Sequence, residues 1–268
     1  MSITNIDNRF IHYEVLGRGQ PIIFLHGWLG SWRYWWPSMQ ALSTQYRSFA
    51  LDLWGFGDST KAATDEDKSQ LYSFDAYTEL LGCFIEKLGV QQPVVLVGHA
   101  LGAVIALRFA AENQDFVSKV ATVSLPTEGA AIHQRLQNLD PTTFVNRTFG
   151  RGQTFNEITS EIKKTDSAAS QKLAQELANV DVSTILANTP QALLAIYGGK
   201  DTVIQPPVNN HRSQTAVSQH FVSLPDCHHF PMLQEPAKFN RLLLEFIRAR
   251  DEDLVNIAPK EYWQRRTR

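Results

Sequence analysis

Short apolar runs alternate along the chain with longer stretches of helical spacing. Runs at residues 22–25, 48–51, 94–97, 119–123, 192–197 and 220–224 mostly lack strict polar–apolar alternation. That is the pattern of parallel strands buried on both faces. Residues 10–15 do alternate and follow the turn-forming pair Asp7-Asn8, which predicts a half-exposed edge strand of a hairpin. Between the runs, residues 74–88 carry apolar positions at helical spacing and end before Gly89, a C-terminal cap residue. Residues 101–112 are rich in Ala and Leu and follow directly on a strand. Residues 236–248 begin with a proline and place Phe239, Leu242, Leu243, Phe246 and Ile247 on one helical face. Strands alternating with helices predict an α/β fold built on a doubly wound, mostly parallel sheet.

One region interrupts the alternation. Residues 127–188 show helical periodicity and no convincing strand, which predicts a helical cap inserted over the C-terminal edge of the sheet. The expected organisation is therefore a core of residues 1–126 and 189–250, a cap of 127–188, and an extension of 251–268. The extension starts acidic, ends basic and is broken by Pro259, so loose packing is expected of it.

Composition narrows the function more than the fold. The 268 residues carry a formal net charge of −2 and no basic–aromatic tract, which argues against a nucleic-acid partner. No run approaches the roughly 20 apolar residues of a membrane span, and residues 1–9 lack the apolar core of a signal peptide. Two cysteines far apart, Cys83 and Cys227, make no disulfide framework and fit a reducing cytoplasm.

The chemistry concentrates at four places. Residues 94–102 run from an apolar strand through Gly98-His99-Ala100-Leu101-Gly102 into a helix, the context of the nucleophile elbow. Small residues at both ends of such a turn let strand and helix backbones approach, and the middle residue is pushed over the sheet edge. Here that residue is Ala100. His26-Gly27-Trp28 leaves an early strand where a backbone N–H can serve an oxyanion, assigning the donors to Trp28 and Leu101. Asp201 follows Gly198-Gly199-Lys200 after a late strand, where an acid can orient an imidazole. His228 and His229 follow the next strand.

These residues together resemble the α/β-hydrolase superfamily from about residue 10 to 248. The stretch from Asp52 to Ser59 looks like the family's D-x-P-G-x-G-x-S segment, with Trp54 where proline is usual. His229-Phe230-Pro231-Met232 with Glu235-Pro236 looks like its terminal histidine segment and makes His229, not His228, the candidate. The resemblance implies a triad of position 100, Asp201 and His229, with no cofactor and no metal, acting on a small or medium ester or related carbonyl compound.

Alanine has no nucleophilic atom, so hydrolysis through a covalent intermediate is not expected of the chain as it stands. Either a serine has been replaced in an otherwise complete hydrolase, or a natural elbow has lost it. The second case admits a ligand-binding pseudoenzyme, or a lyase or isomerase using Asp201 and His229 for proton transfer. Ser31 and Ser124 lie near enough in sequence order to be weighed as substitute nucleophiles, but neither sits in an elbow. Cys227 reads as buried filler, and Cys227, His228 and His229 lack the ligand spacing of a zinc site. Trp28, Trp32, Trp35 and Trp36 read first as core and cap packing, and second as an aromatic wall for an apolar substrate.

Overall fold

The computed structural model describes residues 2–127, 148–149, 155–205 and 219–259. Its centre is an eight-stranded sheet of β1 (Ser2–Ile6), β2 (Arg9–Gly17), β3 (Gln20–Leu25), β4 (Tyr46–Leu51), β5 (Val94–His99), β6 (Val117–Val123), β7 (Ala192–Gly198) and β8 (Gln219–Leu224). The order across the sheet is β1-β2-β4-β3-β5-β6-β7-β8. From β4 to β8 all neighbours are parallel, while β1–β2 and β2–β4 are antiparallel. β5 and β7 are buried at every residue, which is why their sequences show no alternation.

The expected edge strand needs correcting. Residues 10–15 belong to β2, which lies inside the sheet between β1 and β4, and the edge is β1. Asp7 and Asn8 both adopt positive φ, 50° and 61°, so this turn folds SITNI back onto β2. Such a turn matches the twist of a two-residue hairpin and suits Asp and Asn. The polar residues of β1 and the exposed Ile3 hid it from periodicity.

Among the described residues the α-helices include α1 (Trp36–Leu42), α2 (Asp65–Leu71), α3 (Phe74–Lys87), α4 (Leu101–Glu112), α5 (Asn156–Thr159), α6 (Ser167–Leu177), α7 (Val182–Ala187), α8 (Pro231–Gln234) and α9 (Pro236–Arg248). α1 packs against α9, and α3 and α7 pack against α4, so the helices group into two layers. α3 starts under Ser73, whose Oγ accepts the Ala76 N–H, and stops before Gly89 at φ 62°. α9 buries the five apolar positions read from its sequence. Between residues 127 and 188 the described residues carry helices and no strand; 128–147 and 150–154 lie outside them. Among the described residues no helix is long and apolar enough to cross a membrane.

The extension is less loose than expected where it is described. Asp251–Asn256 form a short 3-10 helix against β8, burying Leu254 and Ile257. His220 Nε2–H donates to the Ile257 carbonyl at 2.6 Å, tying the tail to the last strand.

The sheet order also positions the site. The chain passes from β3 to β4 on one side, and the next strand, β5, pairs on the other side of β3. Ligands bind at such switch points, outside the carboxyl ends of the strands. The turn after β3 and the elbow after β5 meet there.

Candidate active site

The elbow is built from two close approaches. A Cβ on Gly98 would lie 2.3 Å from the Gly102 carbonyl oxygen, and one on Gly102 would lie 2.4 Å from that of Leu25. Only glycine at both positions lets α4 seat on β5 and β3. Between them Ala100 adopts φ 48° and ψ −108°, with its N–H bonded to the Val123 carbonyl at 2.9 Å. A non-glycine residue in this region stores about 1–3 kcal/mol of strain, which persists only where the surroundings impose it. The strand-to-helix turn is therefore as tight as its sequence predicts, and it presents only a methyl group at Ala100.

The turn after β3 is pressed onto that elbow. A Cβ on Gly27 would meet His99 Nδ1 at 2.8 Å and the Ala100 Cβ at 3.0 Å. His26 shapes the turn: its Nε2 accepts the Leu53 N–H at 3.0 Å, so the proton sits on Nδ1, which donates to the Gly27 carbonyl at 2.9 Å. Burial holds the His26 pKa below its ordinary value, although Asp52, the Gly27 carbonyl and Glu161 pull the other way. Trp28 follows this turn, and Leu101 is the first residue of α4, where N–H groups lack intrahelical acceptors. The Trp28 indole N–H donates to the Ser170 carbonyl at 2.9 Å, joining the turn to α6.

The late strands bring the acid and the histidine together. His229 Nδ1 lies 2.8 Å from Asp201 Oδ2, with both residues buried. The other carboxylate oxygen accepts the N–H groups of Val203 and Ile204 at 2.8 and 3.1 Å. Burial alone would raise the Asp201 pKa; the charge and hydrogen bond of His229 and these two amides outweigh it and hold the carboxyl below its ordinary value. His228 is not part of the pair: its N–H donates to Gln234 Oε1 at 2.7 Å.

Sequence reasoning passed over His99 and Tyr34. His99 Nε2 lies 3.0 Å from the His229 carbonyl oxygen and must donate to it. Its Nδ1 then accepts from the Tyr34 hydroxyl at 3.1 Å, and that hydroxyl accepts the Gly27 N–H at 2.5 Å. Burial, with the nearby His229, holds the His99 pKa well below its ordinary value and keeps the ring neutral, as these bonds require. The turn after β3, the turn after β5 and the histidine loop are thus joined through two side chains. Nothing local in the sequence marks this, because the partners are 65 and 130 residues apart.

Ser124, weighed above as a substitute nucleophile, is fully buried, and its Oγ donates to Asp201 Oδ2 at 3.1 Å. Burial pushes the Cys227 thiol up to about 12, so it is inert at neutral pH. Trp35 is core, its ring tilted against those of Phe24 and Phe239. Trp36 is partly exposed and meets Trp32 edge-on.

One grouping among the described residues has metal-ligating atoms close together: His12, Asp52 and Asp58. Its carboxylates already have protein partners. Asp52 accepts the N–H groups of Trp32 and Asp58 at 2.8 and 2.9 Å and meets His12 Nδ1 at 2.9 Å. Asp58 receives Lys164 Nζ on both oxygens, and Arg33 Nε donates to the buried Glu161 at 2.8 Å. This cluster ties residues 161–164 to the core.

A doubly wound sheet whose β3 and β5 end in these two turns, with Asp201 and His229 following β7 and β8, has the architecture of the α/β-hydrolase fold. A family model for the alpha/beta hydrolase fold matches residues 20–147. The chain is 36% identical over 110 residues to a soluble epoxide hydrolase of Corynebacterium sp. (strain C12), covering 41% of this chain and 36% of that one. It is 31% identical over 187 residues to (E)-2-((N-methylformamido)methylene)succinate hydrolase of Acinetobacter baylyi, covering 66% and 64%. The chain thus spans less than two thirds of the length of either relative. Pimeloyl-[acyl-carrier protein] methyl ester esterase of Vibrio cholerae is 24% identical over 264 residues, covering 88% and 97%. The structure of an esterase from Exiguobacterium antarcticum superposes with a TM-score of 0.77 at 20% identity, covering 92% and 98%. The chain belongs to the α/β-hydrolase superfamily.

Proposed function

We propose that the chain carries the machinery of a cofactor-independent hydrolase for a small or medium ester or related carbonyl compound, stalled at its first step by Ala100. The observation that carries this is the buried Asp201–His229 pair, kept together with a strained elbow that positions nothing reactive. In this reading a serine at position 100 would lose its proton to His229 Nε2 while its oxygen attacks the substrate carbonyl. Asp201 would hold the imidazolium that forms. The N–H groups of Trp28 and Leu101 would receive the developing oxyanion. His229 would then protonate the leaving alcohol, and water would release the acid by the same route in reverse. Without the nucleophile, turnover falls by about 10⁶. Residues 127–188 would form the cap over this site, and the free Cys83 and Cys227 suit a cytoplasmic protein.

The test compares the chain as it stands, Ala100→Ser, and Ala100→Ser with His229→Ala on activated esters of several chain lengths. Ala100→Ser is expected to raise the rate by several orders of magnitude, about 10³ or more, and His229→Ala to remove most of the gain. No gain on any ester would defeat the esterase reading. A gain that survives His229→Ala would mean the base is another group.

A further inference from the structure

Ser124 follows directly on β6 and adopts φ 48°, a left-handed conformation uncommon for a residue with a side chain. Its N–H is fixed by the Ile196 carbonyl of β7 at 2.9 Å, so the strain is held by the sheet itself. This aims the hydroxyl at Asp201 Oδ2, 3.1 Å away, the same oxygen that accepts the His229 Nδ1 proton. The His229 carbonyl oxygen lies 3.5 Å from the same hydroxyl.

We propose that Ser124 is a positioning residue for the acid–base pair, acting by anchoring the Asp201 oxygen that faces His229. This rests on the reading of Asp201 and His229 given above. Oδ1 of Asp201 is held by two backbone amides of its own loop. Oδ2 has two donors of different kinds. The imidazole must change charge and shift between the nucleophile and the leaving group in each turnover. Ser124 sits on the end of a buried strand and does neither. Without its hydroxyl, the side-chain donor to Oδ2 left among the described residues is the moving imidazole itself. Among the described residues, Asp201 from the β7 exit is hydrogen-bonded to the His229 ring and His99 from the β5 exit lies against it. The Ser124 hydroxyl meets Asp201 Oδ2 and the His229 backbone carbonyl, so among these contacts its link to the ring runs through Asp201. A sheet that strains a serine to present one hydroxyl to this oxygen follows the usual logic of functional strain.

The experiment has two arms. In the Ala100→Ser background, Ser124→Ala and Ser124→Gly should each lower kcat about tenfold or more, as loss of a hydrogen bond to a charged group does, with KM within about twofold. Glycine accepts φ 48° without strain, so a purely backbone role would leave Ser124→Gly active. In the chain as it stands, proton NMR should find the His229 Nδ1–H resonance protected from exchange, and both variants should broaden it while thermal melts show a folded protein. Loss of kcat and of the sharp resonance in both variants supports the assignment. An unchanged resonance, or kcat retained within about twofold in Ser124→Gly, overturns it. If Ala100→Ser itself is inactive, the hydrolase reading fails, and the NMR arm still decides whether Ser124 anchors the pair.

Discussion

Replacing Gly98 with alanine would put a methyl carbon 2.3 Å from the Gly102 oxygen, 2.5 Å from its carbonyl carbon and 2.6 Å from the Ala103 Cα. All three are backbone atoms of the elbow and α4, so no side chain can rotate away. Ordinary contact begins at 3.4 Å, so strand and helix must separate by about 1 Å. α4 is buried along most of its length against β5, β6 and β3, and so moves only with its neighbours. Overpacking of this kind costs about 1–3 kcal/mol and more where the obstacle is rigid, so about 3 kcal/mol or more is expected. Gly89→Ala is the matched control. It adds the same methyl at φ 62° with nothing within 4 Å, leaving only the left-handed penalty of about 1 kcal/mol. Urea unfolding of both variants and the parent should give equal slopes and midpoints in the order parent, Gly89→Ala, Gly98→Ala. Thermal melts should fall by about 2–4 °C for the first and about 6–12 °C for the second. Equal losses in the two variants would refute the argument that close backbone approach, rather than turn conformation, demands glycine at position 98.

Two further outcomes are expected. Because the Asp201 pKa lies below its ordinary value, its contribution to stability is present above the unfolded pKa of about 3.9 and is lost as pH falls through the folded value. Asp201→Asn should therefore flatten the acid side of the stability profile, and curves that stay parallel into the acid range would show that the carboxylate contributes nothing there. His220→Ala removes the 2.6 Å bond to the Ile257 carbonyl and should cost about 1 kcal/mol. Amide exchange at Leu254–Ile257 should speed up, and unchanged exchange would mean the tail is held by apolar burial alone.

Much of the core was legible because its signals are local. β3 to β8 are short apolar runs, α4 and α9 match their sequence periodicity, and Gly98, Ala100 and Gly102 carry the elbow spacing within five residues. The order of elbow, Asp201 and His229 along the chain was enough to select the pair now seen 2.8 Å apart. His229 was preferred to His228 by the segment that follows it, and it is His229 that pairs with Asp201 while the His228 N–H meets Gln234.

What was not legible depends on contacts distant in sequence. β1 became a strand because a turn at Asp7-Asn8 laid five weakly patterned residues against β2, and strand pairing does not require apolar alternation. Ser124 could be noticed as a hydroxyl after a strand, but its partner lies 77 residues on, and only the packed sheet decides which oxygen it meets. The same holds for the Gly27–Tyr34–His99–His229 chain and for the indole of Trp28 on Ser170, 142 residues away. Sequence by itself determined the periodicities, the glycines of the elbow and the absence of a nucleophilic atom at position 100, because each is a property of neighbouring residues. The tertiary structure alone decided which buried polar groups satisfy one another, because burial forces every donor and acceptor to find a partner wherever the fold brings one within reach.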